Sequence, residues 1–340
     1  MGHSNGRLRR TGDRYHRVVM ATVQGPNVRR RLYGLTLDTT VPVGEPATLA
    51  EHRSGSADWT IEWVDPPSDP RAAPPGTPVV TEGVWPAVRH EHMVTLWHEE
   101  LGRVGIDLPA RRIALGLTVR TDEVAALLLR GIVLALALEL TGVPTLHANG
   151  VVIGDRAVAV AGPRGVGKTT VTAALVAAGI ELLSDDVVAI DSEPQGWFAR
   201  SGLTQLRLRG GAAHLAELIG DRYPQQPSVD GRHVVVLPPP TRDRLPLQAI
   251  VVPRIDDKAT GPQLEVVSAS EAFSRVAVAF RIATFVEPAL LVARMTVTAA
   301  IARTVPVLTL SMPLQHRWTR ADADELRRAF ETLDAVLEVV

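Results

Sequence analysis

Residues 162–169 constrain this 340-residue chain more than any other segment. Their sequence, GPRGVGKT, matches the phosphate-loop pattern G-x-x-x-x-G-K-[ST] at every fixed position. In such a loop the glycines turn backbone N–H groups toward an anion, and the lysine reaches the β- and γ-phosphates of a nucleotide. Lys168 and Lys258 are the only lysines among 36 basic side chains. The chain therefore keeps a compact ammonium at this position although it uses arginine almost everywhere else.

The surroundings of the motif agree with this interpretation. Residues 156–161 form a short apolar run after Arg156, which is typical of a buried central strand. Residues 170–178 predict a helix whose positive N-terminal end would favour phosphate. A chance match in a glycine-bearing turn is the alternative, and the order of strand, loop and helix argues against it. The residues predicted to bind nucleotide are Gly162, Pro163, Arg164, Gly165, Val166, Gly167, Lys168, Thr169 and Thr170, with the Thr169 hydroxyl on Mg²⁺.

The composition limits which kinds of partner and which cellular compartment we expect for the chain. The net charge is −1, so no overall field favours nucleic acid. The absence of cysteine excludes disulfides and thiolate metal sites. Residues 1–17 are rich in arginine and have no apolar core of a secretory signal, which predicts a solvated flexible arm and a cytoplasmic protein. A patch for an acidic peptide or a neighbouring subunit is the other interpretation of this arm.

Residues 124–140 are nearly all apolar, and a membrane span must be considered. Arg130 and Glu139 interrupt the run, and about 17 residues is the short limit for crossing a bilayer. Thr121 predicts an N-cap, and Gly142 and Pro144 end the segment. We therefore expect a buried core helix over residues 121–141 and no membrane partner.

Patterning divides the chain into two parts. Residues 18–112 predict a β-rich accessory domain, and residues 113–340 predict a second domain that contains the phosphate loop. In the first part we expect strands at 17–23, 31–37 and 59–64 and a proline-rich loop at 65–76. In the second part we expect a polar, mobile flap at 222–244 and an amphipathic helix at 319–338 with Thr319 as its cap.

Two further patterns lie on either side of the loop. Residues 146–153 and 156–161 flank Gly154 and Asp155, which predicts a β-hairpin feeding directly into the loop. In GTPases and helicase-like ATPases the loop follows a parallel strand. Downstream, Asp185 and Asp186 follow Lys168 at a distance that one helix and one strand would fill. One carboxylate could then hold Mg²⁺ and the other could take a proton from an attacking hydroxyl. Surface aspartates at a strand end are the alternative.

Taken together, His147, Lys168 and the pair Asp185–Asp186 resemble the kinase domain of HPr kinase/phosphorylase and its wider family of HPr-kinase-like proteins, which is related in fold to phosphoenolpyruvate carboxykinase. The resemblance covers residues 115–255 best. Residues 33–37, YGLTL, also look like the accessory domain of HPr-kinase-related proteins found beside peptide-maturation genes, including those for lasso peptides. The fold implied is α/β, a P-loop kinase domain with a β-rich N-terminal accessory domain.

The resemblance implies transfer of a phosphoryl group from ATP to a serine hydroxyl. Asp186, or in second place Asp185, would be the base, and Lys168 would hold the β- and γ-phosphates. Thr169 and Asp185 would hold Mg²⁺, and His147 would assist near the transferred group. A lone histidine is by itself more often structural than catalytic. The family further implies a homo-oligomer.

The chain departs from HPr kinases at one place that concerns the substrate. Those enzymes carry a metal-binding glutamate followed by Ile-Arg-Gly, whereas residues 206–211 here are LRLRGG. HPr itself is therefore disfavoured as the acceptor. Arg207 and Arg209 would pair with acidic groups of the substrate or with the phosphoryl group, or else face solvent. Arg232 and Arg242, in the predicted flap, are candidates for a lid arginine.

These observations favour an ATP- and Mg²⁺-dependent kinase acting on a serine hydroxyl of a peptide or small protein, in ribosomal peptide natural-product maturation. A kinase for free serine or another small molecule stays open, as does a non-catalytic nucleotide-binding regulatory module. A DNA-processing ATPase has the least support, because the chain shows no basic face.

Overall fold

The computed structural model describes residues 27–43, 56–80, 85–220, 223–228, 230–282, 287–314 and 317–338. The arm predicted at residues 1–17 and the strand predicted at 17–23 lie outside these ranges. Within them the chain is a mixed α/β structure with three sheets.

The first sheet is formed by the N-terminal part of the chain. Its strands are β1 (Val28–Leu32), β2 (Leu35–Thr39), β3 (Trp59–Trp63), β4 (Thr77–Val80), β5 (Ala87–His90), β6 (Met93–His98), β7 (Gly102–Asp107) and β8 (Arg112–Leu117). They lie in the order β1-β2-β3-β8-β7-β6-β5-β4. Strands such as β7 bury every second residue, as the alternating pattern predicts for a sheet with one covered face.

One prediction for this region needs correction. The single strand predicted at 31–37 is wrong, because Tyr33 and Gly34 form the turn between β1 and β2, both with positive φ. The first sheet extends to Leu117, since β8 begins at residue 112, and the domain division predicted there stays a prediction. The strand predicted at 59–64 is confirmed as β3.

The apolar segment after the first sheet is a buried helix with one wide turn. It consists of α1 (Asp122–Leu128), a π-helical segment (Leu129–Val133) and α2 (Leu134–Leu140). The Thr121 hydroxyl accepts a hydrogen bond from the backbone N–H of Val124 and caps the helix as predicted. The apolar side chains of this helix pack in one cluster with the first sheet. No helix in the described ranges has the length and apolar character that a bilayer crossing needs.

The second sheet carries the predicted phosphate loop, residues 162–169. Its strands are β9 (Thr145–Leu146), β10 (Ala148–Ile153), β11 (Arg156–Ala161), β12 (Glu181–Ser184), β13 (Val188–Glu193), β14 (Gly196–Arg200), β18 (Arg244–Ile255), β19 (Gln263–Val266) and β20 (Val307–Met312). The predicted hairpin is confirmed, because β10 and β11 pair antiparallel. β11 also pairs parallel with β18, so the strand before the loop is central.

A small third sheet lies where the sequence predicted a flap. Its strands are β15 (Gln205–Leu208), β16 (Gln225–Pro227) and β17 (His233–Val236), in the order β15-β17-β16. Val234 and Val235 are buried in it. The prediction of a polar flap over residues 222–244 is therefore wrong at residues 233–236, since β17 pairs with β15 and packs into the core, whereas residues 241–244 are exposed.

The remaining helices cover the second sheet. They are α3 (Lys168–Ala177), α4 (His214–Ile219), α5 (Ala269–Ala277), α6 (Pro288–Thr304), α7 (Arg320–Glu331) and α8 (Leu333–Leu337). Thr319 caps α7 in a reciprocal capping box with Asp322, as the sequence indicated. Leu326, Phe330 and Leu333 face inward against the cluster that also contains α3.

Candidate active site

The phosphate loop joins the end of β11 to the start of α3. Gly162, Gly165 and Gly167 have φ values of 129°, 93° and 100°, a region that side-chain-bearing residues rarely adopt. The residues at the turn, Pro163 to Gly165, are exposed. The first backbone N–H groups of α3 therefore lie at an open turn, as a phosphate-binding helix N-terminus requires.

Lys168 is held against its own loop. Its ammonium donates to the carbonyl oxygens of Gly162 at 2.7 Å and Pro163 at 3.0 Å, and the residue is 7% exposed. Burial lowers the pKa of Lys168 to about 8, while the nearby charge of Asp186 acts in the opposite direction.

Strand pairing brings the two aspartates to the loop. Ala148 at the start of β10 pairs with Ala161 at the end of β11, and Gly150 pairs with Ser184 at the end of β12. The residues that follow β12, Asp185 and Asp186, therefore lie at the same edge of the sheet as the phosphate loop. This is the juxtaposition that the spacing from Lys168 predicts.

The carboxylate of Asp186 is held on both oxygens. Its Oδ1 lies 3.1 Å from Nδ1 of His147, and its Oδ2 accepts from Nη2 of Arg281 at 3.0 Å. Its backbone N–H donates to Oδ1 of Asn149 at 3.0 Å, which fixes a residue with a φ of 64°. Burial acts to raise the pKa of Asp186, but Arg281 and then His147 hold it well below the usual range.

Asp185 has a different environment. Its side chain is buried, and burial together with the charge of Asp186 raises its pKa to about 7. Arg130, Arg207 and Arg232 act to lower that pKa, but among the described residues none of them forms an ion pair with Asp185. The two neighbouring acids therefore differ: Asp186 is held ionised by cations, whereas burial and the charge of Asp186 make Asp185 easier to protonate.

The charges of three arginines from separate elements act on Asp185. Arg130, on the π-helical segment, donates to Gln205, and burial lowers its pKa to about 10. Arg207 on β15 pairs with Asp230 at 2.8 Å, and Arg232 pairs with the same carboxylate at 3.1 Å. The Arg207 side chain is 10% exposed, so the alternative that it simply faces solvent is wrong.

Arg209 and Arg242 do not join this cluster. Arg209 is exposed and precedes a single 3₁₀ turn (Gly210–Ala212). Arg242 is also exposed, and its neighbour Thr241 donates a backbone hydrogen bond to Glu181 at 2.7 Å. Glu181 begins β12 whereas Asp185 follows its end, so the structure does not bring Arg242 to the acid pair as a lid arginine.

Four residues at the site escaped the sequence analysis: Tyr33, Arg130, Asn149 and Arg281. Asn149 carried a detectable signal, because it is a buried amide within an apolar strand, two residues after His147. No sequence pattern marked Arg281 or Tyr33 as a residue of the site. They reach the site through pairing with residues far away in the sequence, as in the backbone hydrogen bond from Arg281 to Thr145 at 2.8 Å.

Comparisons with known proteins find only limited similarity to this chain. No family model matches the chain, and no curated protein matches it. Among solved structures, the HPr(Ser) kinase/phosphatase from Coxiella burnetii matches with 15% sequence identity and a TM-score of 0.28, covering 57% of this chain and 96% of that one. A likeness of this extent does not assign the chain to a family.

Proposed function

We propose that this chain is an ATP- and Mg²⁺-dependent kinase that transfers the γ-phosphoryl group to a serine hydroxyl of a peptide or small protein. The observation that carries the proposal is that two carboxylates in unlike environments lie at the same sheet edge as a phosphate loop. A protein that only binds a nucleotide needs the loop but has no need of the acid pair. The acid pair adds the means to activate an acceptor.

The loop fits a nucleotide phosphate on its own geometry. Three glycines with positive φ turn the backbone, and the turn before α3, Pro163 to Gly165, is exposed to solvent. Lys168 now donates to two loop carbonyls, and a β- or γ-phosphate oxygen would be the stronger acceptor for the same ammonium. Gly162, Gly165 and Gly167 would supply backbone N–H groups, and Thr169 and Thr170 lie in the first turn of α3.

The residues at the site also fit a Mg²⁺ ion that is bound together with a nucleotide, as nucleotide enzymes bind it. Among the described residues no group of three or more His, Asp or Glu could hold a metal ion. Mg²⁺ is commonly bound through one or two carboxylates plus substrate phosphates, so such a group is not needed. Thr169 and the ionised Asp186 would hold the ion. When bound, it would neutralise charge on the β- and γ-phosphates.

The contacts of the acid pair favour a division of roles that reverses the order given by the resemblance. Both oxygens of Asp186 are engaged by His147 and Arg281, whereas Asp185 forms no ion pair in the described part of the chain. Asp185 is therefore the better acceptor for the hydroxyl proton. The serine oxygen would attack the γ-phosphorus, the bond from that phosphorus to the β-bridging oxygen would break, and the proton would pass to Asp185 as ADP leaves.

The arginines that act on Asp185 indicate which kind of acceptor the site favours. Arg130, Arg207 and Arg232 place three positive charges there against the two carboxylates of Asp230 and Asp185. Such an excess favours acidic groups on the acceptor or the charge of the phosphoryl group in transfer. The peptide nature of the acceptor rests on the resemblance of residues 33–37 and 206–210 to peptide-maturation kinases.

The test is phosphoryl transfer from γ-labelled ATP with Mg²⁺ to the peptide encoded beside this gene, with free serine as a competing acceptor. Asp185→Asn should abolish transfer while leaving nucleotide affinity within about twofold, because its proton acceptor is lost and the loop is intact. Lys258→Ala, at an exposed position, is the matched control for Lys168→Ala.

Each outcome separates the possibilities. Label on free serine without peptide would replace the peptide kinase with a small-molecule kinase. Nucleotide binding without transfer to either acceptor would leave a regulatory module. Full transfer by Asp185→Asn with none by Asp186→Asn would restore Asp186 as the base.

A further inference from the structure

The backbone of Asp186 adopts a conformation that residues with a side chain rarely keep. Its φ is 64°, in the left-handed region, where the Cβ atom crowds the neighbouring carbonyl oxygen. Aspartate enters this region more readily than most residues, but it stays there only where the surrounding structure holds it, and such positions cluster at functional sites. The residues that hold Asp186 are therefore candidates for a role in the site.

Two side chains from one segment of the chain hold the polar groups of this backbone. The N–H of Asp186 donates to Oδ1 of Asn149 at 3.0 Å, and the carbonyl oxygen of Asp186 lies 3.3 Å from Nδ1 of His147. Asn149 belongs to β10, which pairs with β11, and the phosphate loop follows the last residue of β11, Ala161. Asn149 therefore connects the acid directly to the hairpin that carries the loop.

Asn149 is a buried amide whose oxygen alone is paired in the described chain. It is 1% exposed, and its neighbour across the strand pair, Val160, and the next residue on its face of β10, Val151, both lie in the apolar cluster that contains α3. Its Nδ2 forms no hydrogen bond to any described residue. A leucine of similar size would fill this apolar place without leaving a donor unpaired, so packing does not explain the amide. The hydrogen bond that its oxygen accepts from Asp186 does explain it.

The direction of the Asp186 carboxylate depends on the same backbone. One carboxylate oxygen lies 3.1 Å from Nδ1 of His147, and the other accepts from Nη2 of Arg281 at 3.0 Å. A change of φ to the negative values that other residues prefer would turn the Cα–Cβ bond to another side of the chain, and it would break both contacts. Asn149 therefore acts on the carboxylate through the main-chain N–H that it binds.

We propose that Asn149 is a positioning residue for Asp186, because its amide oxygen holds the backbone that directs the Asp186 carboxylate toward Mg²⁺. This inference rests on the proposed function, in which Asp186 and Thr169 hold the ion. Asn149 would contribute no ligand of its own. It would fix the position and direction of the carboxylate relative to the loop, so that the ion meets an oxygen that is already ordered.

The experiment compares the full-length wild type with Asn149→Ala, Asn149→Asp and Asn27→Ala. Alanine removes the acceptor, whereas aspartate keeps an oxygen at the same reach, and Asn27 is the other asparagine in the described ranges and is exposed. The first readout is the rate of hydrogen exchange at the backbone N–H of Asp186, which NMR measures in the protein without nucleotide or metal. The second is the Mg²⁺ concentration that gives half-maximal binding of a non-hydrolysable ATP analogue. The third is the melting temperature, which shows whether each variant is folded.

We expect exchange at Asp186 to be about tenfold faster in Asn149→Ala, the factor that corresponds to one hydrogen bond. The half-maximal Mg²⁺ concentration should rise by about tenfold, as it does when a residue that orients a metal ligand is removed. Analogue binding without Mg²⁺ should stay within about twofold, because the loop is intact. Asn149→Asp should keep slow exchange and need no more Mg²⁺ than wild type, and Asn27→Ala should match wild type in every measurement.

A double variant tests whether the effect passes through Asp186. Asp186→Asn should raise the Mg²⁺ requirement by itself. Asn149→Ala added to it should cause no further rise, because the carboxylate on which Asn149 acts is already absent. Where Asn149→Ala has no cooperative melting transition, Asn149→Leu, which fills the volume of the amide, replaces it in every comparison.

Other results overturn the inference. Faster exchange in Asn149→Ala with an unchanged Mg²⁺ requirement would leave Asn149 a structural cap of the turn. A further rise in the double variant would mean that Asn149 acts on the ion by a route other than Asp186. A wild-type chain that binds the Mg²⁺–analogue complex but transfers to no acceptor would refute the proposed function alone, since hydrogen exchange and the Mg²⁺ titration still decide the role of Asn149. A wild type that binds no complex would refute both.

Discussion

Nδ1 of His147 lies 3.1 Å from Oδ1 of Asp186, although the two residues are 39 positions apart in the chain. Arg281 completes the arrangement at 3.0 Å from the second oxygen. A carboxylate held in this way is fixed in orientation and kept ionised. Asp185, its neighbour, has neither contact. One pair of adjacent acids thus presents two different chemical groups at the edge of the phosphate loop.

We predict that Arg281→Met lowers phosphoryl transfer by about 10- to 100-fold, because the variant loses one charge-assisted hydrogen bond worth roughly 1.5–3 kcal/mol. Nucleotide affinity measured without Mg²⁺ should change by less than about twofold, since the ion pair that Arg281 forms in the described chain is with Asp186 and not with the loop. The measurement is kcat together with the dissociation constant of ATP. Arg275→Met, on neighbouring α5, is the control, and unchanged kcat in Arg281→Met would contradict the role given to the Asp186 contacts.

We predict that Lys168→Met weakens ATP binding by about 10- to 100-fold, the loss expected when one ammonium no longer donates to phosphate oxygens. The chain offers a matched control in Lys258→Met, because Lys258 is the other lysine in the sequence and is exposed. Isothermal titration with ATP measures both. Equal affinities in the two variants would show that the loop does not bind nucleotide through Lys168.

The parts of the site that sequence predicted are those that depend on local spacing. The loop, its hairpin and the acid pair follow one another within 40 residues, and each has its own pattern of glycine, alternation or charge. The capped helices at Thr121 and Thr319 are local in the same sense. Short-range hydrogen bonding specifies the caps and the hairpin, and the spacing from Lys168 indicates the acid pair, so a single sequence is sufficient to predict them.

The parts that sequence missed depend on contacts across the fold. In the sequence, Tyr33 resembles a further apolar residue of a strand. Gly34 is the residue that indicates the turn, and this signal alone does not predict it. Arg281 follows a helix and meets Asp186 only because Phe280 bridges to Leu146 in the folded sheet. The prediction of a flap is wrong at β17 because this strand pairs with β15, almost 30 residues earlier in the chain. The valines that β17 buries stand among polar residues in the sequence, which hides their burial from a pattern search.

We predict that transfer requires Mg²⁺ and that Asp186→Asn raises the concentration needed. Chelation with EDTA should abolish transfer, and added Mg²⁺ should restore it. In Asp186→Asn the half-maximal Mg²⁺ concentration should rise by about tenfold or more, because a neutral amide is a much weaker ligand for a hard cation than a carboxylate. A titration of activity with Mg²⁺ is the measurement. An unchanged requirement in this variant would remove Asp186 from the metal site.

A buried ion pair between α2 and α6 supports the segment that leads to His147. Nε of Arg294 donates to Oε2 of Glu139 at 2.9 Å, and Thr145 donates to the other oxygen at 2.6 Å. Both charged side chains are almost fully buried, at 5% and 2% exposure. Burial raises the pKa of Glu139 above its ordinary value of 4.5, and the attraction of Arg294 opposes that rise.

We predict that Arg294→Met lowers the free energy of unfolding by about 3–5 kcal/mol at pH 8, since it leaves a buried carboxylate without its counter-ion. The pKa of Glu139 would rise further in the variant. A raised folded-state pKa contributes stability that is fully present below the unfolded value and is lost as pH rises through the folded value. The deficit relative to wild type should therefore shrink between pH 8 and pH 5. Urea unfolding at both pH values measures it, with exposed Arg303→Met on the same helix as the control. A deficit that is independent of pH would mean that Glu139 does not bear the uncompensated charge.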